Sequence, residues 1–370
     1  MKIKTITCHN VYNYGASLQA HALMNYLEEQ GHQVEIIDYM PEYIRKTLSI
    51  GYMGKKWRKK NILIKLAFYI YVIPTRMMQY PMRKKFKKFN QHFLKLTQRY
   101  ESWDELKKQP PIADIYFCGS DQIWNTNIHN GLDPAFYCDF APYGTIRASY
   151  AASFSISSLP QEHKDFVKNK LEQMNFISVR EKTGLNILEK LKIQTGVHVI
   201  DPVFLKSKND WLEMCYTPMY KNYILIYDQE NNPEIKAIAM FLKKKTRKKI
   251  IAFKNLYPMS YADIQIHNAG PIDFISYISC ADTIITNSFH CSAFSLIMQK
   301  QFFVVPRTHQ KVNSRMIDLL EYIGNKDHFI SSTIEIEKAS PINFNESQIK
   351  IQKLIDFSKK YIDQVLKSKL

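Results

Sequence analysis

Short apolar runs alternate along the chain with segments whose apolar residues recur every three or four positions. Lys2–Cys8 reads as a strand. Ala16, Ala20, Leu23 and Leu27 fall at helical spacing, and Gly31 supplies a stop. Val34–Asp38, Asp114–Cys118, Arg147–Phe154, Phe176–Arg180 and Val197–Asp201 predict further strands, with helical segments such as Glu181–Leu191 between several of them. A second series runs through Tyr223–Tyr227, Ile250–Phe253, Thr283–Thr286 and Phe302–Val305. Apolar strands alternating with helices predict parallel sheets covered on both faces. Two such series predict an α/β protein of two doubly wound domains with a cleft between them. The first domain is expected over 1–205 and the second over 206–345, divided after the Asp201-Pro202 turn. Residues 346–370 read as a helix packing back across both, its apolar stripe at 351, 354, 355, 362 and 366 interrupted by Ser358. No period of 20–50 residues repeats, which excludes solenoids and propellers.

Charge changes this picture at one place. The formal net charge is +17. Between Tyr43 and Tyr100 there are sixteen Lys and Arg and no Asp or Glu, so the remainder is close to neutral. The segment 43–100 therefore reads as a basic helical insert in the first domain, and it implies an anionic partner. Within it, Ile62–Ile73 is apolar apart from Lys65 and too short to span a bilayer. Two readings stand side by side. One is an interfacial helix on an anionic membrane; the other is an inserted hairpin with a solvated basic face. Nucleic acid is a third, and no motif of that class appears; none is expected as a partner. The six cysteines form no CxxC pair and no zinc spacing, and Met1–Ile6 lacks a signal-peptide core. These features predict a cytoplasmic protein with reduced thiols, peripheral on the inner membrane face if the insert binds lipid.

Four stretches follow predicted strands, at the edge where α/β sheets bind ligands. In His9–Ala16, Gly15 at a helix start lets backbone N–H groups approach an anion, although one glycine alone is more often a turn. Gly119–Asn125 crowds Asp121, Gln122, Trp124 and Asn125 after a strand; Asp121 there is either functional or an N-cap. Ser178–Glu181 places Arg180 at a strand end, where a surface ion pair is the alternative. In Asn287–Phe294, Ser288 suits a helix cap, and His290 then lies in the first turn among free N–H donors. A phosphate there would meet the donors, the helix dipole and an imidazole; the alternative is a histidine bonded to backbone at a domain seam. Arg307, His309, Lys311 and Arg315 add positive charge to the same edge, and Arg315 is the best placed. No P-loop, GxGxxG or acidic cluster accompanies them. An anionic ligand held by backbone, Arg and His is expected, with no metal and no cofactor.

Taken in order, Asn13–Ala20, Ile37–Pro41, Gly119–Asn125, Ser149–Phe154, Ile177–Glu181, Asp201–Val203, Asn287–His290 and Asn313–Arg315 resemble the polysaccharide pyruvyl transferase family. The resemblance covers roughly residues 5–325 and skips the basic insert. It implies two Rossmann-like domains facing a cleft, similar to GT-B glycosyltransferases. It implies transfer of a pyruvyl group from phosphoenolpyruvate, as co-substrate, to a sugar diol of a cell-surface polysaccharide or its lipid-linked precursor. In those terms Arg180, Ser288, His290, Lys311 and Arg315 belong to donor binding, and His290 and Asp121 to catalysis. Asn13, Gly15, Gln122, Trp124 and Asn125 would line the cleft or meet the acceptor. One branch of the family carries an arginine where this chain has Ser288. A nucleotide-sugar-dependent GT-B glycosyltransferase and a non-catalytic scaffold in polysaccharide assembly are the competing functions.

Overall fold

The computed structural model describes residues 1–53, 55–253, 259–308 and 313–369. The first sheet consists of β1 (Lys2–Ile6), β2 (Gln33–Tyr39), β3 (Leu96–Tyr100), β4 (Ile115–Cys118) and β5 (Ile146–Ser149). These strands pair in parallel in the order β3-β2-β1-β4-β5. β6 (Ile177–Val179) and β7 (Gly196–His198) pair with each other, and single bridges from Ala148 to Phe176 and from Ala152 to Val179 attach them beside β5. The second series forms β8 (Ile224–Tyr227), β9 (Ile250–Phe253), β10 (Ile264–Ile266), β11 (Thr283–Thr286) and β12 (Gln301–Val304), parallel in the order β10-β9-β8-β11-β12. Both sheets share one doubly wound order. Each has its switch point beside its first strand, between β1 and β4 and between β8 and β11. The architecture is two Rossmann-like α/β domains facing a cleft.

The helices that position the site are α1 (Tyr14–Glu29), α2 (Glu42–Leu48), α3 (Ile62–Met78), α4 (Tyr80–Phe93), α5 (Pro271–Cys280), α6 (Phe289–Ile297), α7 (Ser314–Ile323) and α8 (Phe344–Lys367). α2 to α4 form the basic insert between β2 and β3. β3 itself falls inside the stretch read as insert. Its sequence, Leu96-Thr97-Gln98-Arg99-Tyr100, is half exposed at a sheet edge and carries no apolar run to betray it. β5 stops at Ser149, five residues short of the expected strand. Beyond it Ala151 and Ser155 take positive φ, and Ala152 bridges two neighbours, Asp121 and Val179.

The halves meet through packed aromatics. Tyr14 at the start of α1 lies nearly parallel to Phe274 of α5, 4.7 Å between centroids, and to Phe86 of α4 at 5.5 Å. Tyr227 and Phe253 close the same cluster. At the other end α8 returns from the second domain to the first. Tyr361 donates to the carbonyl of Ser149 at 2.8 Å, and Ser358 accepts from the amide of Ile200 at 2.9 Å. The serine that interrupts the apolar stripe of α8 is thus fully buried and satisfies a backbone donor.

His21, in the middle of α1, is enclosed edge-on by Phe89, Phe93 and Trp211, with Nδ1 3.0 Å from the carbonyl of Phe93. Burial pushes its pKa down to about 4. The native state therefore resists a proton that the unfolded chain takes up near pH 6.5, and stability falls as pH drops from there towards 4. The loss approaches about 3 kcal/mol at the low end of that window. Urea denaturation of wild type and His21→Asn across the window should show a shallower acid slope in the variant; equal slopes would exclude His21 as the source.

Candidate active site

The loops at both switch points converge. After β1 come Asn13 and Gly15; after β4, Ser120 to Gln122; after β8, Asp228 to Glu230; after β11, Asn287 to His290. Each residue of the first helix start has a separate job. Asn13 caps α1, its Oδ1 accepting from the amide of Ala16 at 3.3 Å. Gly15 lies against the imidazole of His290: a Cβ at 15 would fall 2.1 Å from Cγ and Nδ1 of that ring. Only glycine lets the two helix starts approach this closely. Buried Gln19 reaches back to Thr7 at 2.9 Å and accepts from the amide of Ser120 at 3.1 Å, fixing the loop after β4. In that loop Asp121 has φ +69°, a conformation that turns its carboxylate inward at a cost of about 1 kcal/mol.

At the centre is Arg180, its side chain 1% exposed. It donates to Asp201 Oδ2 at 2.6 Å, to Asp121 Oδ1 at 3.3 Å and to Ser120 Oγ at 3.4 Å. The ring of Phe289 lies between two guanidinium groups, with Cζ of Arg180 4.8 Å and Cζ of Arg315 5.6 Å from its centroid. His290 Nε2 stands 3.6 Å from Asp201 Oδ2. Arg315 approaches Asp121 to 3.9 Å. Burial by itself would raise both carboxyl pKa values. For Asp201, His290 and Arg180 more than offset it; for Asp121, Arg180, His290 and Arg315 do so, and both lie below the usual carboxylate range. Burial and then the charge of Arg180 push Arg315 down to about 10, so it stays cationic at neutral pH. Among the described residues, Nε2 of His290 and Nε of both arginines are buried without a hydrogen-bond partner. Such atoms mark where a ligand's oxygens could be received.

A narrow polar cleft of about 30 Å³ opens beside this cluster, lined by Asn13, Asp121, Gln122, Gln229, Asn287, Ser288, Phe289, His290, Arg307, Arg315 and Met316. Ser288 caps α6, its Oγ accepting from the amide of Cys291 at 3.5 Å. Asn287 ties the ends of β8 and β11 together: its Nδ2 donates to Asp228 at 2.7 Å, and its Oδ1 accepts from the amide of Gln229 at 2.9 Å. Arg307 borders the cleft on the far side and donates through Nε to Glu230 at 3.1 Å. Among the described residues no group of three or more His, Cys, Asp or Glu side chains gathers as a metal site would require. A wider open cavity, about 710 Å³, lies at the opposite end of the first sheet, and lysines there pair with Glu35 and Glu28.

The structure therefore brings Asn13, Asp121, Gln122, Ser288, His290 and Arg315 to one cleft, with Gly15 behind His290 and Arg180 beneath. Two expected cleft residues are elsewhere. Trp124 is fully buried, stacked on Tyr137 at 5.6 Å, and its indole N–H donates to the carbonyl of Phe136; it is core. Asn125 is buried in its own turn, bonded to Gln122 and to the amide of Asn127. Both lie in a stretch where polar and aromatic density served packing. Lys311 and His309 lie outside the described residues. Asp201 was missed as a site residue, although an Asp-Pro turn after a strand on the edge of Arg180 is a usable signal. Phe289 was missed because an aromatic in a helix start reads as core.

One comparison with a solved structure agrees with the fold. A Listeria monocytogenes protein assigned as a UDP-N-acetylglucosamine 2-epimerase superposes with a TM-score of 0.54 at 9% identity, over 99% of this chain and 90% of that one. The Rickettsia bellii UDP-N-acetylglucosamine 2-epimerase gives 0.49 at 11% identity over 100% and 96% of the two chains. Spinosyn forosaminyltransferase gives 0.46 at 11% identity over 99% of each. Curated protein sequences give no significant match. The fold is of the GT-B kind, two Rossmann-like domains around one cleft. The sequence profile of the polysaccharide pyruvyl transferases matches residues 13–309, and the chain belongs to that family of transferases.

Arg180→Met would leave Asp121 and Asp201 buried without the guanidinium they share. We expect a loss of about 3–5 kcal/mol at neutral pH, read from urea denaturation. The deficit should shrink as pH falls through the unfolded carboxylate range near about 4, because the stranded carboxyls can then take up protons. A deficit that is constant with pH would mean that packing, not charge, sets the cost.

Proposed function

We propose that the protein transfers the pyruvyl group of phosphoenolpyruvate to two hydroxyls of a sugar, in a cell-surface polysaccharide or its lipid-linked precursor, releasing phosphate. The observation that carries this reading is the gathering of His290, Arg315 and Arg307 around the start of α6, where backbone donors and the helix dipole also favour an anion. Phosphoenolpyruvate carries two anionic groups, a phosphate and a carboxylate. Arg307 and Arg315 lie on the cleft with Ser288 between the backbone donors, so cations from two other elements supply charge where one branch of the family has an arginine at 288.

The chemistry balances on these groups. Protonation of carbon 3 makes the methyl group and leaves cationic character at carbon 2. One sugar hydroxyl adds there; the bond from carbon 2 to the phosphate oxygen then breaks, and the second hydroxyl closes the ketal. Of the two hydroxyl protons, one replaces the proton given to carbon 3 and the other leaves with phosphate. In this reading His290 contacts the phosphate and supplies the proton, with Asp201 Oδ2 3.6 Å from its Nε2. Arg180 and Arg315 hold anionic oxygens through charge-assisted bonds, with Arg180 as the deepest member. Asp121 is the base or the acceptor ligand on the first-domain side, with Asn13 and Gln122 beside it.

Phosphate release from phosphoenolpyruvate, measured with pyruvylatable sugar acceptors, tests the reading. His290→Ala should lower kcat by at least about a hundredfold while the fold persists. Gly15→Ala should act like a mild form of it, because the added methyl displaces the imidazole. Arg180→Lys, which keeps the countercharge, should lower turnover without unfolding. Thermal-shift titration separates the alternatives: stabilisation by phosphoenolpyruvate, lost in His290→Ala, supports pyruvyl transfer. Stabilisation by UDP or GDP alone would replace it with glycosyl transfer.

A further inference from the structure

The insert carries a surface that the cleft does not use. α3 has no buried residue. Ile62, Leu63, Leu66, Ile70 and Met77 are each more than half exposed, and their spacing of three, four and seven places them along one face. Trp57, Tyr69, Tyr71 and Tyr80 are exposed around them. A water-facing helix with such a stripe is unusual for an isolated chain. α3 has only two charged residues, Lys65 and Arg76. Arg76 is turned inward, where it donates to the carbonyls of Ile50 and Tyr52 at 2.8 and 2.7 Å. Its guanidinium fixes the loop after α2 against α3.

That loop and α3 enclose a second cavity, about 370 Å³, lined by Lys46, Tyr52, Arg58, Lys65 and Tyr69 among others. No carboxylate lines it; Glu42 pairs with Lys46 on the outer surface. Arg58 is held in place by its bond to the carbonyl of Met53 and by the ring of Tyr52. A basic cavity beside an exposed apolar stripe matches an anionic lipid in both its parts, a phosphate head group and acyl chains. No helix among the described residues is long and apolar enough to cross a membrane, which leaves a helix lying in the interface.

We infer that α3 lies in the surface of an anionic bilayer, its Ile62–Met77 stripe among the acyl chains and a lipid head-group phosphate in the cavity of Lys46, Arg58 and Lys65. The helix is joined to the catalytic side of the molecule. α4 follows directly, and its Phe86 packs on Tyr12 and Tyr14 while Arg83 lies 5.0 Å over the ring of Tyr12. The next residue, Asn13, lines the cleft.

Vesicle flotation tests this without reference to turnover. The full chain should float with phosphatidylcholine vesicles containing phosphatidylglycerol, not with phosphatidylcholine alone, and less as salt rises. Leu66→Glu with Ile70→Glu should lower partitioning at least about tenfold with an unchanged circular dichroism melt, since both side chains are solvent-facing. Arg58→Glu with Lys65→Glu should lower it similarly. Unchanged partitioning in either variant would overturn the assignment. So would a wild-type dimer, seen by sedimentation, that the Leu66→Glu, Ile70→Glu variant dissolves while vesicles stay unbound. Displacement by inorganic phosphate beyond that by chloride of equal ionic strength would move the cavity's ligand from lipid to soluble phosphate, and would also overturn it.

Discussion

The buried guanidinium of Arg180 is the interaction on which the rest of the site depends. A cation removed from water is costly unless it is paired, and Arg180 is paired twice, with Asp201 and with Asp121. Those two carboxylates reach it from different places: one from the turn that ends the first domain, the other from the loop after β4. Each then has a second neighbour, the imidazole of His290 for Asp201 and the guanidinium of Arg315 for Asp121, and both come from the second domain. One charge network therefore fixes the relative position of four segments and carries it across the seam. Phe289 packs its ring against both guanidinium groups.

The seam has an apolar part and a polar part, and the sequence joins them within two residues. Tyr14 packs into the aromatic cluster of the second domain, and Gly15 beside it leaves room for the imidazole of His290. Packing at one position thus sets the approach at the next. The same short stretch ends in Gln19, which holds the backbone of Ser120 and through it the loop of Asp121. A motif that looks in sequence like a turn with one glycine is in space the link between both halves of the cleft.

Most of the architecture was legible because parallel strands buried on both faces are written as apolar runs. β4, β8, β9, β11 and β12 carry such runs, while β1 and β2 interleave apolar with charged positions. The failures share a cause. β3 is a polar edge strand, so its place in the sheet is set by backbone pairing with β2 and not by its side chains. Residues 150–154 look like a strand because Tyr150, Ala151, Ala152 and Phe154 extend the apolar stretch of β5, yet they are buried as irregular chain whose backbone amides donate to Cys118, Asp121 and Ser178. Trp124 was assigned to the cleft for its position after a strand, but a large aromatic contributes more by burial than by exposure there.

The sequence by itself determined two things: a doubly wound α/β chain built in two series, and a basic, apolar insert set apart from a nearly neutral body. Both are statements about periodicity and composition, which are local. It also marked Arg180 and Asp121 after strands, and His290 and Arg315 at helix starts, as candidate ligands. Only the tertiary structure decided that these four meet, with Asp201 and Phe289 between them, because the two switch points had to face each other across the seam. It alone decided that α3 keeps its apolar stripe in water while Arg76 turns inward. Which face of a helix is covered depends on what packs against it, and no neighbour in the described chain covers that one.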